Sequence, residues 1–136
     1  IENMKVFKTS IEKATLENLN FRKVLYTAKH LQLVIMALKP KEEIGEETHH
    51  DNDQFFRFES GLGKVIIDGN EYIVKNGDAV IIPAGAKHNV INTHATTELR
   101  MYTLYAPAHH KDGIVRATKK EAGANGPEFD GVTTEK

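Results

Sequence analysis

The chain reads as an all-β protein of one domain, and three observations carry that reading. Apolar runs of four to eight residues recur along it, rich in Val, Ile, Phe and Tyr. Clusters of Gly, Pro, Asn and Asp separate these runs at intervals of about ten residues, the spacing of a sandwich or barrel. No ten-residue stretch shows a helical period.

The elements follow in order. KVFKTS (5–10) is expected as a short leading strand, and IEKATLENLN (11–20) as a polar loop with one helical turn anchored by Ile11, Leu16 and Leu19. RKVLYT (22–27) and LQLVIMAL (31–38) are strands joined by Ala28-Lys29-His30, the second ending before Pro40, which cannot donate to a ladder. A polar, acidic segment (41–54) leads into FFRFES (55–60), Gly61-Leu62-Gly63 and KVIID (64–68). Asp68-Gly69-Asn70 is a hairpin turn signal. EYIVK (71–75), AVIIP (79–83), KHNVIN (87–92) and ELRMYTLYAP (98–107) complete the strands. Phe55, Phe56, Phe58, Ile66, Val80, Ile82, Val90, Met101 and Leu104 are the expected core and barrel-wall residues. The chain thus divides into an N-terminal strand and loop segment (1–20), a β-barrel (21–107) and a polar C-terminal tail (108–136). Large apolar residues are few in that tail, so it is expected to be loosely attached, and the glycines of KEAGANG argue against a helix there.

Composition narrows the function. The 136 residues suffice for one domain with a core. A net charge of -1 gives no electrostatic case for nucleic acid or an anionic membrane. Without cysteine, any metal site must use nitrogen and oxygen ligands. No apolar run approaches the roughly 18 residues of a membrane span and no signal peptide opens the chain, so a cytoplasmic location is expected. Met4 is a candidate natural start, with residues 1–3 added before it.

Two stretches carry the chemistry. From Gly77 the chain reads GDAVIIPAGAKHNVIN, with Gly77, Pro83, Gly85, His88 and Asn92 at the positions that define the second signature of the cupin superfamily. Upstream, GEETHHDNDQFFRFESG (45–61) resembles the first signature, with Gln54 six residues before Gly61 where the family has Glu. The family's His-x-His falls on Glu47 and His49 in one register and on Thr48 and His50 in the other. The stretch from Phe21 to Pro107 resembles the small single-domain cupins of the mannose-6-phosphate isomerase-like group, through GEE (45–47), His49, DQFFRFESG (53–61), NGDAVIIPAG (76–85), HNVINT (88–93) and LYAP (104–107). The resemblance implies a cupin-type double-stranded β-helix, a jelly-roll barrel, with a metal ion in its mouth.

Side chains alternate along a strand, so Glu47 and His49 share a face, and a turn through Asp51-Asn52-Asp53 is needed to bring Gln54 to it. The other register offers a neutral threonine hydroxyl, a poor ligand. The preferred metal set is therefore Glu47, His49, Gln54 and His88. It keeps the single negative charge of the family's three histidines and one glutamate but shifts the donors towards oxygen, which suits Mn²⁺, Fe²⁺ or Zn²⁺. Glu47, if it is not a ligand, is the candidate catalytic base. Asp51 and Asp53 are turn residues or groups that orient an imidazole. His109 and His110 are expected to be exposed in a polar loop, and His30 and His94 to sit in turns.

Three functions fit these residues. A metal-dependent sugar isomerase of the mannose-6-phosphate isomerase-like kind is the first, with Arg57, Lys64 and Lys87 as candidate phosphate cations. A metal-dependent dioxygenase-type oxidoreductase is the second, because two histidines and a carboxylate form the facial triad of non-haem iron enzymes. A non-enzymatic ligand-binding or sensor cupin is the third. The expected partners are a small-molecule ligand or substrate and a second copy in a homodimer formed through edge strands, with KVFKTS as a candidate exchanged strand.

Overall fold

The computed structural model describes residues 6–135. Two antiparallel sheets face each other. Their strands are β1 (Arg22–Thr27), β2 (Gln32–Leu38), β3 (Glu47–Thr48), β4 (Asp53–Ser60), β5 (Leu62–Ile67), β6 (Asn70–Lys75), β7 (Ala79–Ile82), β8 (Lys87–Asn92), β9 (Leu99–Ala106) and β10 (Val115–Arg116). One sheet has the order β10-β1-β2-β9-β4-β7 and the other β3-β8-β5-β6, a jelly-roll sandwich.

Period-two alternation sets the inner faces. On β9, Leu99, Met101, Thr103 and Tyr105 are buried and alternate with half-buried Arg100, Tyr102 and Leu104. The core joins Val34, Met36, Leu38, Phe56, Phe58, Val65, Val74, Val90, Leu99 and Met101. Val80, expected as core or wall, packs against the core, but Phe55, Ile66 and Leu104 are only half-buried. Those three lie at the alternate positions, so their side chains point to the outer faces. Gly61 is required where it stands: its φ is +100°, and a Cβ would strike the Glu98 carbonyl oxygen.

Both chain ends depart from the sequence expectation. Residues 6–10 form no strand, and Lys5 of the expected KVFKTS strand lies outside the described residues. Phe7 stacks on Tyr26 with ring centroids 5.2 Å apart, and Val6 is exposed. Residues 11–17 form a helix, α1 (Ile11–Glu17), held on its inner side by buried Thr15. Arg100 Nε donates to the Asn18 carbonyl and ties the end of this segment to β9. Burial of Ile35 and Ala37 on β2, whose alternate residues already fill the core, shows that this strand is covered on both faces.

The C-terminal segment is docked rather than loose. β10 pairs with β1, and Ile114 and Ala122 join the core. Lys119–Ala124 form a second helix, α2, despite the glycine within it. A capping arrangement outweighs that glycine: Thr118 Oγ1 accepts from the Glu121 N–H, and the Glu121 carboxylate reaches back to the Ala117 N–H. Among the described residues no helix is long and apolar enough to cross a membrane.

Candidate metal centre

Register places polar side chains on both inner faces at one end of the barrel. On the larger sheet Gln32, Tyr105 and Gln54 stand side by side across β2, β9 and β4. On the smaller sheet Glu47 lies directly opposite His88. After β3 the chain turns through His50 and Asp51, with the His49 carbonyl accepting from Gly85 N–H. That bond fastens His49 to the tight turn that precedes β8.

These elements converge on a histidine cluster. His49 Nε2 lies 3.2 Å from Glu47 Oε2. The His49 ring centroid is 5.2 Å from that of His88 and 4.2 Å from that of His109. Ligand atoms of Glu47, His49 and His109 all fall within 4.8 Å of one another, a group able to hold a metal ion. His88 Nδ1 lies 3.1 Å from the Ala86 carbonyl oxygen, a contact that is favourable with a proton on Nδ1. That tautomer leaves Nε2 as a lone-pair donor, the usual arrangement of a metal-binding histidine. Gln54 donates through Nε2 to Thr103 Oγ1 at 3.0 Å, while its buried Oε1 has no hydrogen-bond partner. Imidazoles, one carboxylate and an unsatisfied amide oxygen are the donor chemistry a divalent transition ion takes.

The backbone that carries His109 is clamped by side chains distant in sequence. Gln32 Oε1 accepts from the His109 and His110 N–H groups at 3.2 and 3.0 Å, and Gln32 Nε2 donates to the His110 carbonyl at 2.7 Å. Asn52 Nδ2 donates to the Pro107 carbonyl at 2.6 Å. His110 turns inward, with Nε2 3.2 Å from Tyr105 Oη.

Electrostatics keep the cluster poised for a cation. Burial alone would raise the Glu47 pKa, but the His49 hydrogen bond and the charges of His49, Arg22 and His88 outweigh it and hold the carboxyl below 4.5. Burial pushes His88 and His109 below 6.5, and the charge of His49 adds to the effect in both. Burial, helped by Arg22, pushes His110 down to about 2. Burial also raises the Tyr105 phenol, which stays protonated. An ionised carboxylate beside His88 and His109, both biased towards the neutral imidazole, favours binding of a divalent ion with little proton release from those two rings.

Comparison with known proteins identifies the family. Residues 34–105 match the cupin domain family. This chain belongs to the cupin family. It is 38% identical over 124 residues to an uncharacterized protein of Acanthamoeba polyphaga mimivirus, covering 89% of this chain and 78% of the relative. It is 41% identical over 126 residues to the uncharacterized protein YrkC of Bacillus subtilis, covering 88% of this chain and 67% of the relative. A crystal structure from Bacillus halodurans superposes with a TM-score of 0.86 at 38% identity, covering 89% of this chain and 96% of the other.

Within this cupin, Glu47, His49 and His88 come together, and Gln54 lies across the barrel from them on the row shared with Tyr105. Thr48 and His50 of the alternative register are exposed. The expectation that His109 and His110 are exposed is overturned, because the Gln32 clamp turns both inward. His109 enters the cluster although sequence reasoning missed it; the adjacent histidines after the last strand were its one signal. Asp53 fixes a turn by accepting from Ala84 N–H at 2.9 Å, and His94 Nδ1 accepts from Thr96 and Thr97 N–H groups in its own turn. The candidate phosphate cations have carboxylate neighbours instead: Arg57 with Glu59, Lys64 with Glu71 and Lys87 with Glu46.

Proposed function

We propose that this cupin is a metal-dependent enzyme acting on a small, oxygen-bearing molecule at the mouth of its barrel. The observation that carries the reading is the convergence of Glu47, His49 and His109 ligand atoms within 4.8 Å, beside His88. Glu47, His49, His88 and His109 would hold a divalent ion (Mn²⁺, Fe²⁺ or Zn²⁺), with Gln54 Oε1 as the further oxygen donor. Such an ion supplies Lewis-acid polarisation of a substrate oxygen or, as iron, redox chemistry. Glu47 contributes negative charge and, with its side chain 33% exposed against 7% for His49, access to solvent. Gln32 and Asn52 hold the His109 backbone, and protonated Tyr105 offers a donor beside it.

Two chemistries follow from this site. The convergent triad within that set, His49, His109 and Glu47, has the two-histidine, one-carboxylate composition that favours oxidative chemistry on iron. The likeness to the mannose-6-phosphate isomerase-like group favours an aldose–ketose isomerase in which the three histidines would hold the ion and Glu47, outside the ligand set, moves the proton. The pairing of Arg57, Lys64 and Lys87 with carboxylates weighs against a phosphosugar as the substrate. Elemental analysis of protein purified without a metal-affinity column, for wild type and His88→Ala, tests the reading. A near-stoichiometric transition metal in wild type that falls sharply in His88→Ala is expected. No metal in wild type, even after incubation with Mn²⁺, Fe²⁺ and Zn²⁺, would sink it. Oxygen uptake dependent on added Fe²⁺ then separates oxidation from isomerisation, and saturable ligand binding without turnover would mark a sensor.

We also propose a homodimer, supported by the exposed apolar residues Tyr72 and Ile73 on edge strand β6 and Ile81 on edge strand β7. Light scattering that returns the mass of one chain would reject it.

A further inference from the structure

Arg22 opens β1 and points into the barrel. It is 8% exposed and stands in one cross-strand row with Met36, Met101 and Phe58, none of which is exposed at all. Among the described residues no carboxylate lies within 4.0 Å of it, and its Nε is buried without a hydrogen-bond partner. Its neighbour across the β1–β10 pair is a second arginine, Arg116, whose own Nε is taken by the Asn125 carbonyl. The Phe21 ring lies 5.2 Å from the Arg22 guanidinium carbon and is the contact that supports it. A buried charge without a counter-ion destabilises a fold, and like charges directly opposite on paired strands add to the cost. Arg22 therefore makes no sense as a device for stability.

The surroundings say what it faces. Arg22 lines a cleft of about 200 Å³ with Phe21, Ile44, Lys119, Ala122 and Gly123, two cations and no anion. Ile44 of this cleft donates its N–H to the Val90 carbonyl, two residues along β8 from His88, so the cleft lies beside the strand that carries the cluster. We propose that Arg22 anchors the carboxylate of a small carboxylate-bearing ligand whose remaining oxygens face the cluster of Glu47, His49, His88 and His109. The inference rests on the metal reading for the position of the ligand's other end. The planar fork of a guanidinium matches the two oxygens of a carboxylate. The cleft has room for roughly six water-sized groups, which suits a short acid better than a hexose phosphate. Lys119 at its rim adds a cation that draws an anion in.

The test uses malonate and inorganic phosphate as probes, on protein as purified and after chelation, with metal content measured throughout. Malonate is expected to raise the Tm of wild type in both states. In Arg22→Met the shift disappears and binding by calorimetry weakens at least about tenfold. The same variant keeps its metal and, without probe, melts a few degrees above wild type, because an unpaired buried charge has been replaced by an apolar side chain of similar length. Lys119→Gln, on the half-buried rim, leaves the fold intact and weakens malonate by a few-fold; it serves if Arg22→Met does not fold. A malonate shift that survives in Arg22→Met, or no shift in wild type, overturns the proposal. A larger Arg22-dependent shift with phosphate overturns the carboxylate assignment. Loss of metal from wild type with an intact Arg22-dependent malonate shift would sink the metal reading and leave the anchor standing.

Discussion

The two ends of one barrel are built by the same strands and do opposite things. Met36, Met101 and Phe58 form a cross-strand row at one end, and Gln32, Tyr105 and Gln54 form another four positions further along the same three strands. Both rows are buried. The apolar row, the floor, contributes stability through removal of its surface from water. The polar row, at the mouth, contributes little of that, and one of its groups, Gln54 Oε1, is left without a partner. Floor and mouth differ only in chemistry, not in period or burial. Between the three-residue rows Met36/Met101/Phe58 and Gln32/Tyr105/Gln54, the unsatisfied polar group lies in the one at the candidate site.

The largest expected effect breaks the floor alone. Phe58 is fully buried and lies 5.9 Å, centroid to centroid, from Phe56 in a stacked arrangement. Phe58→Ala should destabilise the protein by about 3–5 kcal/mol through lost burial and the cavity left behind. Urea unfolding gives the loss, and elemental analysis of the folded fraction should give the wild-type metal content. A drop in metal content at concentrations of urea where the fold persists would mean that floor and mouth are not separable.

A middle-sized effect comes from the clamp at the mouth. Gln32→Leu keeps the volume but removes the acceptor for the His109 and His110 N–H groups and the donor to the His110 carbonyl. Loss of a group that orients a ligand weakens metal affinity by about 10–100-fold. The stability loss of the metal-free protein should be smaller than that of Phe58→Ala, at about 1–3 kcal/mol for the buried groups left unpaired. Metal titration followed by calorimetry checks this. Affinity unchanged in Gln32→Leu would remove His109 from the ligand set and return the site to Glu47, His49, Gln54 and His88.

The same contrast explains what the sequence made legible. His88 could be found because its position is locally coded: Pro83 ends β7, Gly85 takes a φ of +90°, and His88 follows on the inner face of β8. Glu47 and His49 were legible as a same-face pair, and the turn needed to reach Gln54 lies at His50 and Asp51, one position before the expected start. His109 was not legible, because what turns it inward is Gln32, 77 residues away. Arg22 was hidden for a related reason: a charged residue at a strand start reads as solvent-facing, and only pairing with Met36 shows that it points inward. The α2 helix was misjudged by weighing its glycine and overlooking Thr118-Lys119-Lys120-Glu121, whose capping is local and was readable.

The smallest effect sharpens the comparison through pH. In the metal-free protein His88, His109 and His110 all sit below 6.5, His110 at about 2. The unfolded chain takes up protons near 6.5, so below that pH it binds more protons than the folded state and stability falls as pH falls. A histidine that stays neutral when folded costs about 1.4 kcal/mol per pH unit in that range. Glu47 acts in a lower window: held below 4.5, it contributes stability that is present above 4.5 and lost as pH falls through its folded pKa. The urea midpoint of chelated protein should therefore decline between pH 7 and 5. Phe58→Leu, a floor change, should lower the whole curve without altering its slope. His110→Phe, a mouth change, should flatten the slope by about one proton's worth, because it removes the most strongly depressed group. An unchanged slope in His110→Phe would place the acid sensitivity outside the mouth and erase the electrostatic side of the contrast between the two ends.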